Sequence, residues 1–194
     1  MLDTHARKYI NPLIDGGANF LINLKLTPNN ATQLALILGV ISAGLLYINQ
    51  PIVALAVLWI SGYLDAVDGA MARKTNQSSP FGTLMDITGD RIVELGIIIV
   101  CAMKYEHIRM NSIILVSCIL LSMVIFLTVG AMTEKSGIKS FYYQPGLAER
   151  SEGFIMLSLM ILFPEYLSVI INIFSLIVLI TAAQRYREAS KILK

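Results

Sequence analysis

Residues 112–133 read SIILVSCILLSMVIFLTVGAMT, twenty-two positions without one charged side chain. At a rise of about 1.5 Å per residue, a helix of roughly 20 apolar residues matches the hydrocarbon thickness of a bilayer, so this stretch reads as a membrane-spanning helix. Working outward, apolar helical stretches recur at 32–49, 52–74, 81–104, 149–164 and 166–188, with the first stretch extended to 110–133. The breaks between them are polar or contain proline: Asn49-Gln50-Pro51, Asn76 to Pro80, Lys104 to Arg109, Lys135 to Gly146 and Pro164-Glu165, as helix ends require. The chain has 194 residues, 56% hydrophobic and 14% charged, against about a quarter charged in an ordinary soluble domain. Six crossings of about 20 residues leave only short connections and no separate soluble domain. The expected fold is an all-α integral membrane protein: a single domain over 1–194, with a juxtamembrane segment at 1–25 and a six-helix bundle at 32–188.

Residues 3–24 mix Tyr9, Ile10, Leu13, Ile14, Phe20, Leu21 and Leu24 with polar residues, and Gly16-Gly17 reads as a break. The pattern predicts a short amphipathic helix lying in the membrane interface rather than a seventh crossing. The same segment lacks the uninterrupted apolar core and cleavage site of a signal peptide, so it is expected to stay on the mature protein. Cys101 and Cys118 lie inside apolar stretches without metal-ligand spacing and read as packing residues.

Thirteen acidic and fifteen basic residues nearly cancel, and the net charge of +2 argues against a nucleic-acid partner. The placement of the basic residues carries more information. With six crossings, one side holds Arg7, Lys8, Lys25, Arg73, Lys74, Arg91, Lys135, Lys139, Arg150, Arg185, Arg187, Lys191 and Lys194, and the other only Lys104 and Arg109. That asymmetry predicts a multi-pass protein of the cell membrane with both termini and the loops near residues 76 and 140 in the cytoplasm.

The acidic residues concentrate in one place. Residues 65–90 read DAVDGAMARKTNQSSPFGTLMDITGD, with Asp65 and Asp68 at i and i+3 near the end of one helix and Asp86 and Asp90 at i and i+4 near the start of the next. Each pair projects from one helix face, and the intervening turn brings the faces together as a cage of four carboxylates. Each aspartate at membrane depth costs about 2.5–3.5 kcal/mol on insertion scales, so four demand neutralisation. Two divalent cations would cancel them, and an all-oxygen ligand set favours Mg²⁺, with Mn²⁺ or Ca²⁺ as alternatives. Gly69 and Gly82 leave room beside the carboxylates, and Arg73 suits bidentate binding of a phosphate. Together these residues point to a diphosphate site.

The spacing Asp65-x2-Asp68-Gly69-x2-Ala72-Arg73-x8-Gly82-x3-Asp86-x3-Asp90 resembles, at every fixed position, the signature of the class I CDP-alcohol phosphotransferase family. At about one in fifteen per position, a chance match of eight is on the order of one in 10⁹ at a given start. The resemblance implies a phospholipid-synthesis enzyme that displaces CMP from a CDP-linked donor, usually CDP-diacylglycerol, by attack of an alcohol acceptor. It implies Asp65, Asp68 and Asp86 as metal ligands, and Asp90 as general base that also touches a metal. It assigns Asn29, Asn30, Ala31 and Thr32, with Gly69, Arg73 and Ser79, to the CDP moiety. Read without the family, Asn29-x-x-Thr32 is a helix cap. Relatives are commonly homodimers in the membrane lipid, which implies the same here.

The resemblance extends to an acceptor pocket. Relatives that use inositol phosphate are similar around Gly146-Leu147-Ala148-Glu149-Arg150 and near Arg185, implying Arg150 and Arg185 as acceptor-binding residues. Those relatives carry basic residues where this chain has Gly130 and Met132, and each charge-assisted hydrogen bond lost is worth about 1.5–3 kcal/mol. The expected acceptor is therefore not a phosphoinositol, with glycerol phosphate, serine, inositol or a second lipid open. On residue type alone, Arg150 with Glu149 and Glu152 reads equally as a solvated turn, and Arg185, Arg187 and Lys191 as a stop-transfer anchor. The rival function is a divalent-cation transporter or channel using the intramembrane aspartates. Against it, the aspartates gather at one side and no acidic residue continues across the later spans. A scaffold with a structural metal site accounts for the carboxylates but not for Arg73 and the glycines.

Overall fold

Proline opens three successive helices: α2 (Pro28–Tyr47), α3 (Pro51–Thr75) and α4 (Pro80–Lys104). At a first helical position the missing N–H costs no hydrogen bond and the fixed φ is already helical. Each proline follows a residue with left-handed backbone by a few positions: Lys25 (φ 59°), Asn49 (φ 63°) and Asn76 (φ 54°). The next N–H in each case bonds five residues back, Leu26 to the Leu21 carbonyl at 3.1 Å, Gln50 to Leu45 at 2.9 Å and Gln77 to Ala72 at 3.0 Å. These are Schellman endings, and with the prolines they define α1 (Leu2–Asn23) through α4 from local chemistry. The computed structural model describes residues 2–133 and 150–193, with side-chain surroundings from Ile10 to Thr133 and from Ser151 to Leu193. Among these residues the fold is all-helical, with α5 (Arg109–Met132), α6 (Arg150–Leu162) and α7 (Leu167–Ile192) completing it.

Thr4–Lys104 packs as one compact unit and the chain from Tyr105 onward as a second. In the first, α2 is the central helix and lies against both α3 and α4. Ala31, Ala35, Gly39 and Ala43 recur at every fourth position of α2 and are all buried. Such a stripe lets helix backbones approach closely where lipid supplies no hydrophobic drive for association. A Cβ on Gly39 would meet Val93 Cγ2 of α4 at 2.1 Å. Across the other face, Ser61 Oγ donates to the Ala35 carbonyl at 2.6 Å and Ser42 Oγ to the Ala54 carbonyl at 2.7 Å, fixing the antiparallel register of α2 and α3. Lys104 Nζ closes the far end of α2, donating to the Leu46 carbonyl and Asn49 Oδ1, each at 2.7 Å.

α1 runs unbroken through Gly16-Gly17, contrary to the expected break there. Gly17 instead permits a close approach, since a Cβ would lie 2.2 Å from the Tyr63 hydroxyl of α3. Tyr63 donates to the Leu13 carbonyl at 2.9 Å, and Lys74 pairs with Asp15 at 2.9 Å and with Asn19 Oδ1 at 2.9 Å. Ala18 and Leu21 of α1 share an apolar cluster with Ala31, Val67, Ala70 and Met71. Ile10, Leu13, Phe20 and Leu24 of the same helix are left exposed.

In the second unit α7 packs along α5 in the same direction. Asn111 Nδ2 donates to Asn172 Oδ1 at 2.8 Å near their starts, and Arg185 Nη1 to Ser122 Oγ at 3.1 Å further along. Four segments are long and apolar enough to cross a bilayer: Pro28–Tyr47, Pro51–Thr75, Glu106–Met132 and Pro164–Ile192. Of the other two predicted crossings, α4 has the length but carries Asp86, Asp90, Arg91, Glu94 and Lys104, and α6 has 13 described residues. Large apolar side chains such as Ile37, Ile113 and Leu120 face outward, the inverse of a water-soluble surface and suited to lipid.

Gly39→Ala is expected to lower the thermal unfolding midpoint in detergent, since overpacking of this kind costs about 1–3 kcal/mol. Adding Val93→Ala should recover part of the loss. Gly44→Ala, where no atom lies within 4 Å of the new Cβ, should cause none. Equal midpoints for Gly39→Ala and wild type would contradict this packing.

Candidate metal and nucleotide site

The last turns of α3 and the first turns of α4 bring the acidic residues to the same end of the first unit, because Asn76 turns the chain in left-handed conformation between them. Asp65, Asp68 and Asp86 each present a carboxylate oxygen within 4.8 Å of the others. Asp65 and Asp68 are only 8% and 6% exposed, and Asp86 is half-buried. Unit charges at that separation repel by at least about 3 kcal/mol per pair at an effective dielectric of 20. Three hard oxygen donors converging in a nearly dry setting form a ligand set suited to a divalent cation. Asp90, half-buried, stands one turn further along α4 on the same face as Asp86.

The predicted nucleotide residues separate by environment. Asn29 and Ser79 converge on Gly82: a Cβ there would lie 3.3 Å from Asn29 Oδ1 and 3.2 Å from Ser79 Oγ. Ser79 Oγ also accepts from Gly82 N at 3.0 Å, capping the start of α4. Arg73 is exposed, and its Nη1 lies 3.4 Å from where Gly69 would carry a Cβ, so the guanidinium folds back over the helix toward the aspartates. Asn30 is exposed, whereas Ala31 is buried in the apolar cluster. Thr32 is buried, and its hydroxyl bonds Asp68 Oδ2. Neither Asn29 nor Thr32 caps α2. The cap is Thr27, whose side chain accepts from Asn30 N at 3.3 Å. The Thr27-Pro28 pair is the sequence signal for this, since proline at the first helical position places the cap just before it.

Two arrangements near the site were not anticipated. Lys74, one residue after Arg73, ties the end of α3 to α1 through Asp15 and Asn19. Glu94, buried one turn beyond Asp90, pairs with Arg91 at 2.5 Å, an i,i+3 spacing visible in the sequence.

Of the predicted acceptor residues, Arg185 lies in the second unit. It is 8% exposed, bonded to Ser122 and placed with its guanidinium carbon 4.8 Å from the Phe126 ring centroid. Arg187 and Lys191 are exposed, so Arg185 is set apart from the anchor cations beside it. Gly130 is buried and Met132 exposed on α5. Gly146 to Glu149 lie outside the described residues, as does the side chain of Arg150, which opens α6.

The profile of the CDP-alcohol phosphatidyltransferase family matches residues 25–182. Archaetidylinositol phosphate synthase of Pyrococcus horikoshii is 30% identical over 88% of this chain and 87% of its own. The phosphatidylinositol phosphate synthase of Mycobacterium tuberculosis, solved with CDP-DAG bound, has a TM-score of 0.73 at 25% identity, covering 92% of this chain and 94% of that one. The same enzyme in complex with manganese and citrate gives a TM-score of 0.70 at 26% identity, covering 91% and 88%. The chain therefore belongs to the CDP-alcohol phosphatidyltransferase family and is a multi-pass membrane CDP-alcohol phosphotransferase of phospholipid biosynthesis.

Proposed function

We propose that this enzyme transfers a phosphatidyl group from CDP-diacylglycerol, or another CDP-linked lipid, to an alcohol acceptor at the cytoplasmic face of the cell membrane, releasing CMP. The observation that carries the proposal is the meeting of Asp65, Asp68 and Asp86 from two helices, beside Arg73, Asn29, Ser79 and Gly82. Asp65, Asp68, Asp86 and Asp90 would hold divalent cations: two Mg²⁺ cancel the charge of four carboxylates, with Mn²⁺ as a substitute. When bound, such ions neutralise the diphosphate and stabilise the attacking and leaving oxygens of an in-line displacement.

The chain's own residues do the rest. Asn29 and Ser79 line the nucleotide edge, with the Asn29–Thr32 turn framing it, and Gly82 keeps that space open. Arg73, folded over Gly69, forks two hydrogen bonds to a phosphate. Asp90 takes the proton of the acceptor hydroxyl as its oxygen bonds to the β-phosphorus and the bond to CMP breaks. Orientation follows from the basic residues: with six crossings, in which α4 and α6 join the four long apolar helices, thirteen of the fifteen lie on the side of the site. α1 lies in the interface with Ile10, Leu13, Phe20 and Leu24 toward lipid. For the acceptor, the resemblance assigns Arg150 and Arg185, while the positions of Gly130 and Met132 carry no charge. That balance favours an alcohol other than a phosphoinositol, although relatives bear that name.

Purified protein with Mg²⁺ and CDP-diacylglycerol should release CMP with at least one of inositol, inositol phosphate, glycerol phosphate, serine or a lipid alcohol. No release with any acceptor or CDP-linked donor would sink the proposal, and turnover with inositol phosphate alone would reverse the acceptor preference. Asp90→Asn should lower kcat by about 10²–10⁴-fold, the usual worth of a general base, while CDP still binds. Full activity in that variant would remove the base assignment.

Asp65→Asn, Asp68→Asn and Asp86→Asn should each weaken Mn²⁺ binding, read from the free-ion electron paramagnetic resonance signal, more than Asp90→Asn does. The opposite ranking would make Asp90 a principal ligand.

A further inference from the structure

Asp68 is gripped from outside the carboxylate triad by a side chain on a different helix. Thr32 sits in the second turn of α2, is 7% exposed, and its Oγ1 has two acceptors in reach: the Pro28 carbonyl at 3.1 Å and Asp68 Oδ2. The hydroxyl has one proton to give. A carboxylate accepts a charge-assisted hydrogen bond about twice as strong as one to a neutral carbonyl, so the proton goes to Asp68. The helices are held close at this level by the neighbouring residue, since Ala31 is fully buried against Val67, Ala70 and Met71. The Thr32 hydroxyl therefore approaches Asp68 on a fixed backbone rather than a mobile one.

We propose that Thr32 is a positioning residue for the metal site: its hydroxyl fixes the orientation of the Asp68 carboxylate toward the oxygens of Asp65 and Asp86. This rests on the reading of that triad as the divalent-cation site. It reassigns Thr32 from a donor to the nucleotide to a partner of a metal ligand, because the single proton is committed to Asp68. It also joins the nucleotide turn at the start of α2 to the ligand set through one hydrogen bond. Outer-shell partners of this kind typically change metal affinity 10–100-fold when removed.

The test is Mn²⁺ binding to the full-length protein in detergent, read from the free-ion paramagnetic resonance signal, for wild type, Thr32→Val, Thr32→Ser and Thr32→Ala. Thr32→Val keeps the shape and loses the hydroxyl, and its Mn²⁺ dissociation constant is expected to rise about 10–100-fold. Thr32→Ser keeps the hydroxyl and should stay within the same decade as wild type. Rescue by serine is the result that a merely space-filling role would not produce. If Thr32→Val does not fold, Thr32→Ala carries the test and is likewise expected to bind Mn²⁺ more weakly. Affinity unchanged in the folded hydroxyl-free variant, or equally weakened in Thr32→Ser, overturns the proposal. A wild type that binds no Mn²⁺ overturns both this and the metal reading. A wild type that binds it normally alongside an unaffected Thr32→Val overturns only the role of Thr32.

Discussion

Three carboxylates held within 4.8 Å of one another, two of them nearly dry, form an arrangement that the rest of the first unit must hold together. Like charges at that range push α3 and α4 apart, and α3 and α4 do not pack along each other as each packs along α2. The restoring force comes through α2. Its small-residue face accepts Val93 of α4 against Gly39, and its carbonyl of Ala35 accepts Ser61 of α3. A bulkier residue on this face would widen the gap that the aspartates bridge. A stripe of alanines and a glycine thereby sets the distance between the aspartate-bearing helices.

The end of α3 has a second restraint. Arg73 and Lys74 are adjacent, but a helix directs neighbouring side chains about 100° apart, so they serve different partners. Arg73 folds over Gly69 beside the aspartates, whereas Lys74 reaches Asp15 and Asn19 of α1. The lysine pair alone is worth little at this exposure. It is accompanied by the Tyr63 hydrogen bond to Leu13 and by the burial of Ala18 and Leu21, and the contacts together seat α1 along the last turns of α3.

What was legible in the sequence was local in origin. The boundaries at Pro51 and Pro80 followed from the polar breaks before them, whereas the first span, expected from 32, begins four residues earlier at Pro28; the facing of each aspartate pair followed from i,i+3 and i,i+4 periodicity. The misreadings share one cause, a partner distant in sequence. Gly16-Gly17 has the composition of a helix break, but Gly17 meets Tyr63 and is needed for contact. Thr32 has the spacing of a cap, yet its partner Asp68 is 36 positions away, and Lys74 and Asn19 are 55 apart. Periodicity gives the direction in which a side chain projects and not which helix stands opposite.

Asp86 and Asp90 stand one turn apart on α4, and that spacing bears on the chemistry proposed. An i,i+4 pair shares a face and is displaced by about 6 Å along the axis. Asp86 meets Asp65 and Asp68, and Asp90 lies on the same face of α4 one turn along. A carboxylate fully committed to cations is a poor proton acceptor, because the positive charge holds it ionised. A general base has to take up a proton and release it again in each cycle. Two carboxylates with opposed requirements can serve one reaction only when their environments differ while their distances to the reacting atoms remain short. A single turn of α4 separates Asp86 from Asp90, and Glu94, one turn further and paired with Arg91, is the last acidic residue of the helix.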